Sequence, residues 1–172
     1  MYYAAIKKTD VANGPGVRVS LFVSGCCHGC KGCFNQEAWD YTYGQEYTEE
    51  TAQEILDALS PSYIRGLSLL GGEPLDPKNR AVVTELVKRV RAQYPEKDIW
   101  CYTGYTYEKD LCRFVAEGDA DMRDLLPLLD VIVDGKFVEE LKDLRLKFRG
   151  SSNQRLIDVG KTLDRDEVVC IE

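Results

Sequence analysis

Four cysteines, Cys26, Cys27, Cys30 and Cys33, fall within eight residues. Cys26, Cys30 and Cys33 are spaced C-x3-C-x2-C, with Cys27 as an extra member. Three thiolates can hold three corners of a four-iron cluster, whereas ordinary electron-transfer clusters use four. A set of three leaves one iron open to an exogenous ligand, as catalytic zinc sites keep an open position. The alternative is zinc bound by three of these cysteines and His28, the only histidine, or by all four cysteines. Structural zinc sites usually draw two ligand pairs from separate segments, and no second pair exists here. Cys27 and His28 are also wedged between the other ligands, which is awkward around one small ion. Iron–sulfur is the better fit. An electron carrier would need Cys27 as the fourth ligand.

The elements that position this cluster can be read from periodicity and punctuation. Arg18 to Ser24 is rich in β-branched and aromatic residues and reads as a strand after the Gly14-Pro15-Gly16 turn. The cysteines then sit on a loop leaving its C-terminal end. Thr48 to Leu59 reads as a helix, capped by Thr48 and ended by Ser60-Pro61. Leu67 to Leu70 is a short strand closed by Gly71-Gly72-Glu73-Pro74. Asp76-Pro77 is expected to open a second helix as N-cap and first residue. Val83, Leu86, Val87 and Val90 share a face of that helix. Asp98 to Tyr102 and Asp130 to Val133 read as strands, ended by Thr103-Gly104 and Asp134-Gly135-Lys136. Helical stretches are expected at Tyr107 to Ala116 and Met122 to Leu129, and further strands at Arg155 to Val159 and Glu167 to Ile171.

Strands alternating with helices argue for parallel βαβ units, with chemistry at the strands' C-terminal ends. The cysteine loop, GGEP, Thr103-Gly104 and Asp134-Gly135-Lys136 should then gather on one rim. A full eight-unit barrel needs roughly 250 residues, so 172 residues leave a partial barrel or an open sheet. No repeat or composition break divides the chain, and residues 1–172 read as a single domain.

Composition narrows the function classes. The net charge is −7, from 22 Lys plus Arg against 29 Asp plus Glu, which argues against nucleic acid as a partner. Lys142, Arg145, Lys147 and Arg149 form a local basic run that reads as a solvated helix face. Seven cysteines, an odd count, argue against a complete disulfide framework. Cys101, Cys112 and Cys170 sit among apolar neighbours and read as small buried hydrophobes. No apolar run approaches the roughly 20 residues of a membrane helix, and no basic leader precedes an apolar core. The expectation is a cytoplasmic protein.

The C-x3-C-x2-C spacing resembles the signature of the radical S-adenosylmethionine (SAM) superfamily. Asp10 to Asn35, DVANGPGVRVSLFVSGCCHGCKGCFN, resembles the opening of the glycyl-radical-enzyme activases, and Gly71-Gly72-Glu73 matches the superfamily's GGE segment. The short length, the cysteine phrase and Phe148 to Arg155, FRGSSNQR, resemble the activases that serve anaerobic ribonucleoside-triphosphate reductase. The resemblance implies an α/β partial (βα) barrel of the radical SAM type. It implies that Cys26, Cys30 and Cys33 ligate a [4Fe–4S] cluster and that SAM chelates the open iron. Gly71, Gly72 and Glu73 would line the methionyl end, with Glu73 accepting from its ammonium. Gly32, Cys33 and Phe34 would lie at the adenosine end, and Asp134 and Lys136 near the SAM carboxylate. Many superfamily members carry an aromatic residue where this chain has Gly32, so Phe34 either stacks on adenine in its place or belongs to the core.

The implied reaction is radical SAM oxidoreductase chemistry. Reductive cleavage of SAM gives methionine and a 5′-deoxyadenosyl radical, which takes a hydrogen from a partner's glycine. No catalytic side chain is required beyond the cluster and SAM. The implied partners are the anaerobic reductase as protein substrate and a one-electron donor such as flavodoxin or ferredoxin. An activase of another glycyl radical enzyme, such as pyruvate formate-lyase, and a zinc-binding interaction module are the competing readings. The polar segment Ser151 to Arg155 is expected at the rim or at a partner contact.

Overall fold

The β-strands alternate their side chains between two very different surroundings. In the computed structural model, which describes residues 1–171, seven strands form one sheet. They are β1 (Tyr2–Asp10), β2 (Val17–Val23), β3 (Gln45–Glu46), β4 (Ile64–Gly71), β5 (Asp98–Tyr102), β6 (Val131–Asp134) and β7 (Arg155–Asp158). Their order is β3-β1-β2-β4-β5-β6-β7. The centre, β2-β4-β5-β6, is parallel, while β1, β3 and β7 pair antiparallel at the flanks. Five α-helices complete a mixed α/β architecture: α1 (Glu49–Ala58), α2 (Arg80–Gln93), α3 (Cys112–Ala116), α4 (Ala120–Leu125) and α5 (Val159–Arg165).

The period of two along a strand divides the sheet. Val19, Leu21, Leu67, Leu69, Ile99, Cys101, Ile132 and Ile157 face the helices and join Ile55, Leu86, Val87, Val90 and Met122 in the main core. The alternate residues Trp100, Val131, Val133 and Leu156 form a second cluster, with Tyr102 and Phe148 packed on it. No helix contributes to this second cluster. A parallel sheet usually has both faces covered by helices. Here the helix-free face becomes the floor of a cleft. At the strands' N-terminal end this face also holds Arg18, fully buried and ion-paired to Asp98 at 2.5 Å. Arg18 further donates to Ser68 Oγ and to the carbonyls of Leu67 and Pro15. Arg18 thus pairs with its carboxylate at the end of the sheet opposite the cysteine loop.

Several expectations need correction. β1 is an element the sequence reading does not contain: Ala4-Ala5 and Lys7-Lys8 interrupt its alternation, and its pairing with β2 decides its conformation. The helix α2 starts at Arg80, with Asn79 at its N-cap. The Asp76 carboxylate is occupied elsewhere, accepting from Lys78 N–H and Tyr41 O–H, so Asp76-Pro77 forms a turn. Glu167 to Ile171 is reduced to a single bridge, Ile157 to Cys170. The run from Lys142 to Arg149 is not a helix: Lys142 is bridged to Ser151 and turns and bends follow. Only Cys101 of the three scattered cysteines is buried; Cys112 and Cys170 are exposed. The helix at Thr48 matches the expectation, with a reciprocal capping box between Thr48 and Thr51. Among the described residues no helix is long and apolar enough to cross a membrane.

Candidate metal and cofactor site

Parallel pairing sets Val23 of β2 beside Gly71 of β4. The cysteine loop and the GGE loop therefore leave the sheet side by side. Backbone hydrogen bonds join them: Gly72 N–H to Val23 C=O at 2.8 Å, and Glu73 N–H to Gly25 C=O at 2.7 Å. Gly72 must lack a side chain, since a Cβ there would lie 2.6 Å from the Gly25 oxygen and 2.8 Å from that of Ala38. Asn79 Nδ2 adds donations to the carbonyls of Ser24 and Glu73. The result is a cleft of about 530 Å³ over the helix-free face. All four loops expected on one rim line it, through Cys26, Cys30, Cys33, Gly71 to Glu73, Thr103-Gly104 and Gly135.

The three motif cysteines are half-buried in this cleft, while Cys27 is exposed and lies 4.0 Å from Tyr105 Oη. Burial pushes the Cys26 thiol up to about 12, and Glu73, Cys27 and Cys30 add to the effect. Burial also raises Cys30. Thiols in such surroundings ionise when a metal cation compensates the charge. Among the described residues no three of Cys, His, Asp and Glu converge closely enough to hold a single metal ion, but three thiols lining one roomy cleft match in type and number the donors of a larger [4Fe–4S] cluster.

Glu73 is fully buried and is the hub of the rim. Its Oε1 accepts from Leu75 N–H at 2.9 Å. Its Oε2 accepts from Gly104 N–H at 2.8 Å and from His28 at 2.7 Å. The His28 ring stands edge-on to Tyr105 at 4.6 Å and leaves no room for a Cβ on Gly104, which would come within 2.5 Å of it. From the sequence His28 is a candidate metal ligand; in the structure it is the partner of Glu73. Its place as partner of Glu73, and that of Gly104, were not foreseen; the lone histidine inside the cysteine motif was the available signal.

The remaining candidates are more dispersed. Phe34 lines the cleft, is 63% exposed, and lies against Phe137 at 5.3 Å and under Lys142. Gly32 (φ +74°) faces Glu139 and is not part of the cleft lining. Asp134 is buried, and its carboxylate accepts from Arg155 at 2.5 and 3.0 Å and from Tyr107 N–H. Lys136 is exposed, and neither Asp134 nor Lys136 lines the cleft.

This rim is what a single-cluster iron–sulfur protein needs, and comparison with known proteins agrees. Residues 12–157 match the family described as 4Fe-4S single cluster domain. The chain is 48% identical over 156 residues to the anaerobic ribonucleoside-triphosphate reductase-activating protein of Vibrio cholerae, covering 90% of this chain and 96% of that one. It is 46% identical to the protein of that name from Enterobacteria phage T4, covering 91% and 93%, and 44% identical to that of Escherichia coli, covering 90% and 96%. The chain belongs to the family of anaerobic ribonucleoside-triphosphate reductase-activating proteins.

Proposed function

We propose that this protein activates an anaerobic ribonucleoside-triphosphate reductase by generating its glycyl radical, as a radical SAM oxidoreductase. The observation that carries the reading is that Cys26, Cys30 and Cys33 line one cleft together with the GGE loop. When bound there, a [4Fe–4S] cluster with one open iron supplies an electron for cleaving SAM to methionine and a 5′-deoxyadenosyl radical, the species that takes the glycine hydrogen. Cys26, Cys30 and Cys33 hold the cluster. Gly71 and Gly72 let the backbone come close to the methionyl end of SAM. Glu73 orients that end, its own direction fixed by His28, Gly104 and Leu75. Phe34, beside Cys33, flanks the adenosine end, whereas Gly32 lies outside the cleft lining. Asp134, engaged by Arg155 and Tyr107 N–H, and the exposed Lys136 lie outside the cleft lining, so no contact with SAM is assigned to them. No side chain here has to move a proton.

We read the parallel centre with its antiparallel flanks as the partial (βα) barrel of radical SAM proteins, and residues 1–172 as one domain. A main core that draws on Tyr3 as well as Val159 supports the latter. An electron donor such as flavodoxin or ferredoxin and a cytoplasmic setting complete the proposal. The test is electron paramagnetic resonance on protein prepared and reduced without oxygen. A four-iron signal that changes on adding SAM, followed by a glycyl radical on added reductase, is expected. Bound zinc with no iron signal would overturn the reading in favour of a zinc-binding interaction module.

A further inference from the structure

Neighbouring antiparallel strands need a turn of only about two to five residues to join them. β6 and β7 are such a pair, with Asp134 opposite Arg155, yet the 20 residues 135–154 lie between them. That connection holds one short helical turn, Glu139–Leu141, and no strand. A loop so much longer than the fold requires is usually either disordered or functional, and this one is tied down. We propose that the β6–β7 connection is the docking element for an apolar, acidic segment of the reductase, the stretch that brings the target glycine to the cleft. This deepens the function proposed above and rests on it.

The connection lines one side of the cleft with Phe137, Leu144, Leu146 and Phe148. Leu144 is 87% exposed and Leu141 43%, so apolar surface continues from the cleft onto the outside of the molecule. Cations stand around it. Lys136, Lys142 and Lys147 are exposed, and among the described residues none of them is in an ion pair. Of the acids in the connection, Asp143 is taken by Arg145 and Glu139 faces Lys31, which leaves Glu140. The connection is therefore basic in a chain whose net charge is −7. An acidic partner is repelled by the chain as a whole and attracted at this place, which selects the face that it meets.

The shape of the element is set before a partner arrives. Phe148 adopts a left-handed backbone (φ +59°), unusual for a residue with a side chain, and its ring stands edge-on to Trp100 at 5.4 Å. Lys142 is bridged to Ser151, and Asp143 N–H donates to Gly150 C=O. Gln154 Oε1 accepts from Gly150 and Ser151 N–H, while Nε2 donates to Gly135 C=O. A loop ordered in advance loses little conformational freedom on binding.

Two other occupants are separable by experiment: SAM against the apolar side, and an acidic electron donor against the cations. Leu144→Ser and Lys147→Glu alter exposed side chains and should leave the melting temperature in place. Affinity for purified anaerobic reductase, measured by interferometry on cluster-reconstituted protein without oxygen, should fall about tenfold in Leu144→Ser and about fivefold in Lys147→Glu. The Lys147→Glu deficit should shrink as salt rises from about 50 to about 500 mM, because ions screen exposed charges, and the Leu144→Ser deficit should not. SAM affinity and the rate of cluster reduction by reduced flavodoxin should be unchanged. Unchanged reductase affinity in both variants overturns the docking element, as does a wild-type protein that does not bind reductase. A loss of SAM affinity as large as the loss of reductase affinity, or a loss confined to reduction by flavodoxin, overturns it too. Reductase that binds the wild type but acquires no glycyl radical would overturn the function proposed above rather than the docking element.

Discussion

Glu73→Gln is the sharpest test of how the rim is built. The substitution preserves size and removes one thing, the capacity to accept at both oxygens. In the wild type, three donors converge: Leu75 N–H on Oε1, and Gly104 N–H with His28 on Oε2. A glutamine amide offers one oxygen and one NH2. With its oxygen toward Leu75, its NH2 faces Gly104 N–H and the His28 ring. Flipped, it faces Leu75 N–H. Either way a buried backbone N–H meets a donor, at a cost of about 1–3 kcal/mol, and the charge-assisted character of the remaining bonds is lost. A loss of about 2–3 kcal/mol is expected, which in a chain of this length lowers the melting temperature by about 5–10 °C. The assay is thermal and urea unfolding of the cluster-free protein without oxygen. The exposed Glu139→Gln serves as control, expected within about 0.5 kcal/mol of wild type. A Glu73→Gln melting temperature within about 1 °C of wild type would refute the convergence of donors on that carboxylate.

Cys30→Ala should abolish cluster assembly, whereas Cys27→Ala, at an exposed position, should leave it largely intact; iron and sulfide content of reconstituted protein decides. Gly72→Ala places a methyl against two backbone oxygens and should cost about 1–3 kcal/mol, read as a shifted urea midpoint. The Arg155 guanidinium holds the Glu108 carboxyl down at about 2, below its ordinary 4.5. That ion pair stabilises the fold above pH 4.5, and its contribution is lost as pH falls toward 2. Glu108→Gln should therefore be less stable at pH 7, by under about 1 kcal/mol because the pair is half-exposed. The difference from wild type should vanish by about pH 2, and equal urea midpoints at pH 7 would count against the pair.

The sequence alone was enough for whatever is local in chain order. The spacing of Cys26, Cys30 and Cys33 is a covalent fact, and the strand before it was legible because β-branched and aromatic residues cluster there. The Thr48 cap is equally local, since its donor and acceptor lie three residues apart. The gathering of four loops on one rim also followed, because parallel strands with helical crossovers place their C-terminal ends together. What depended on distant partners did not follow. β1 is a strand through its pairing with β2, and the helix at Arg80 starts late because Asp76 turns to Tyr41, 35 residues away. His28 meets Glu73 across 45 residues, and the connection between β6 and β7 reaches the cleft only after those two strands have paired. The sequence carries the ligand types and their spacing; which donors converge on which acceptor is decided by the pairing of strands far apart in the chain.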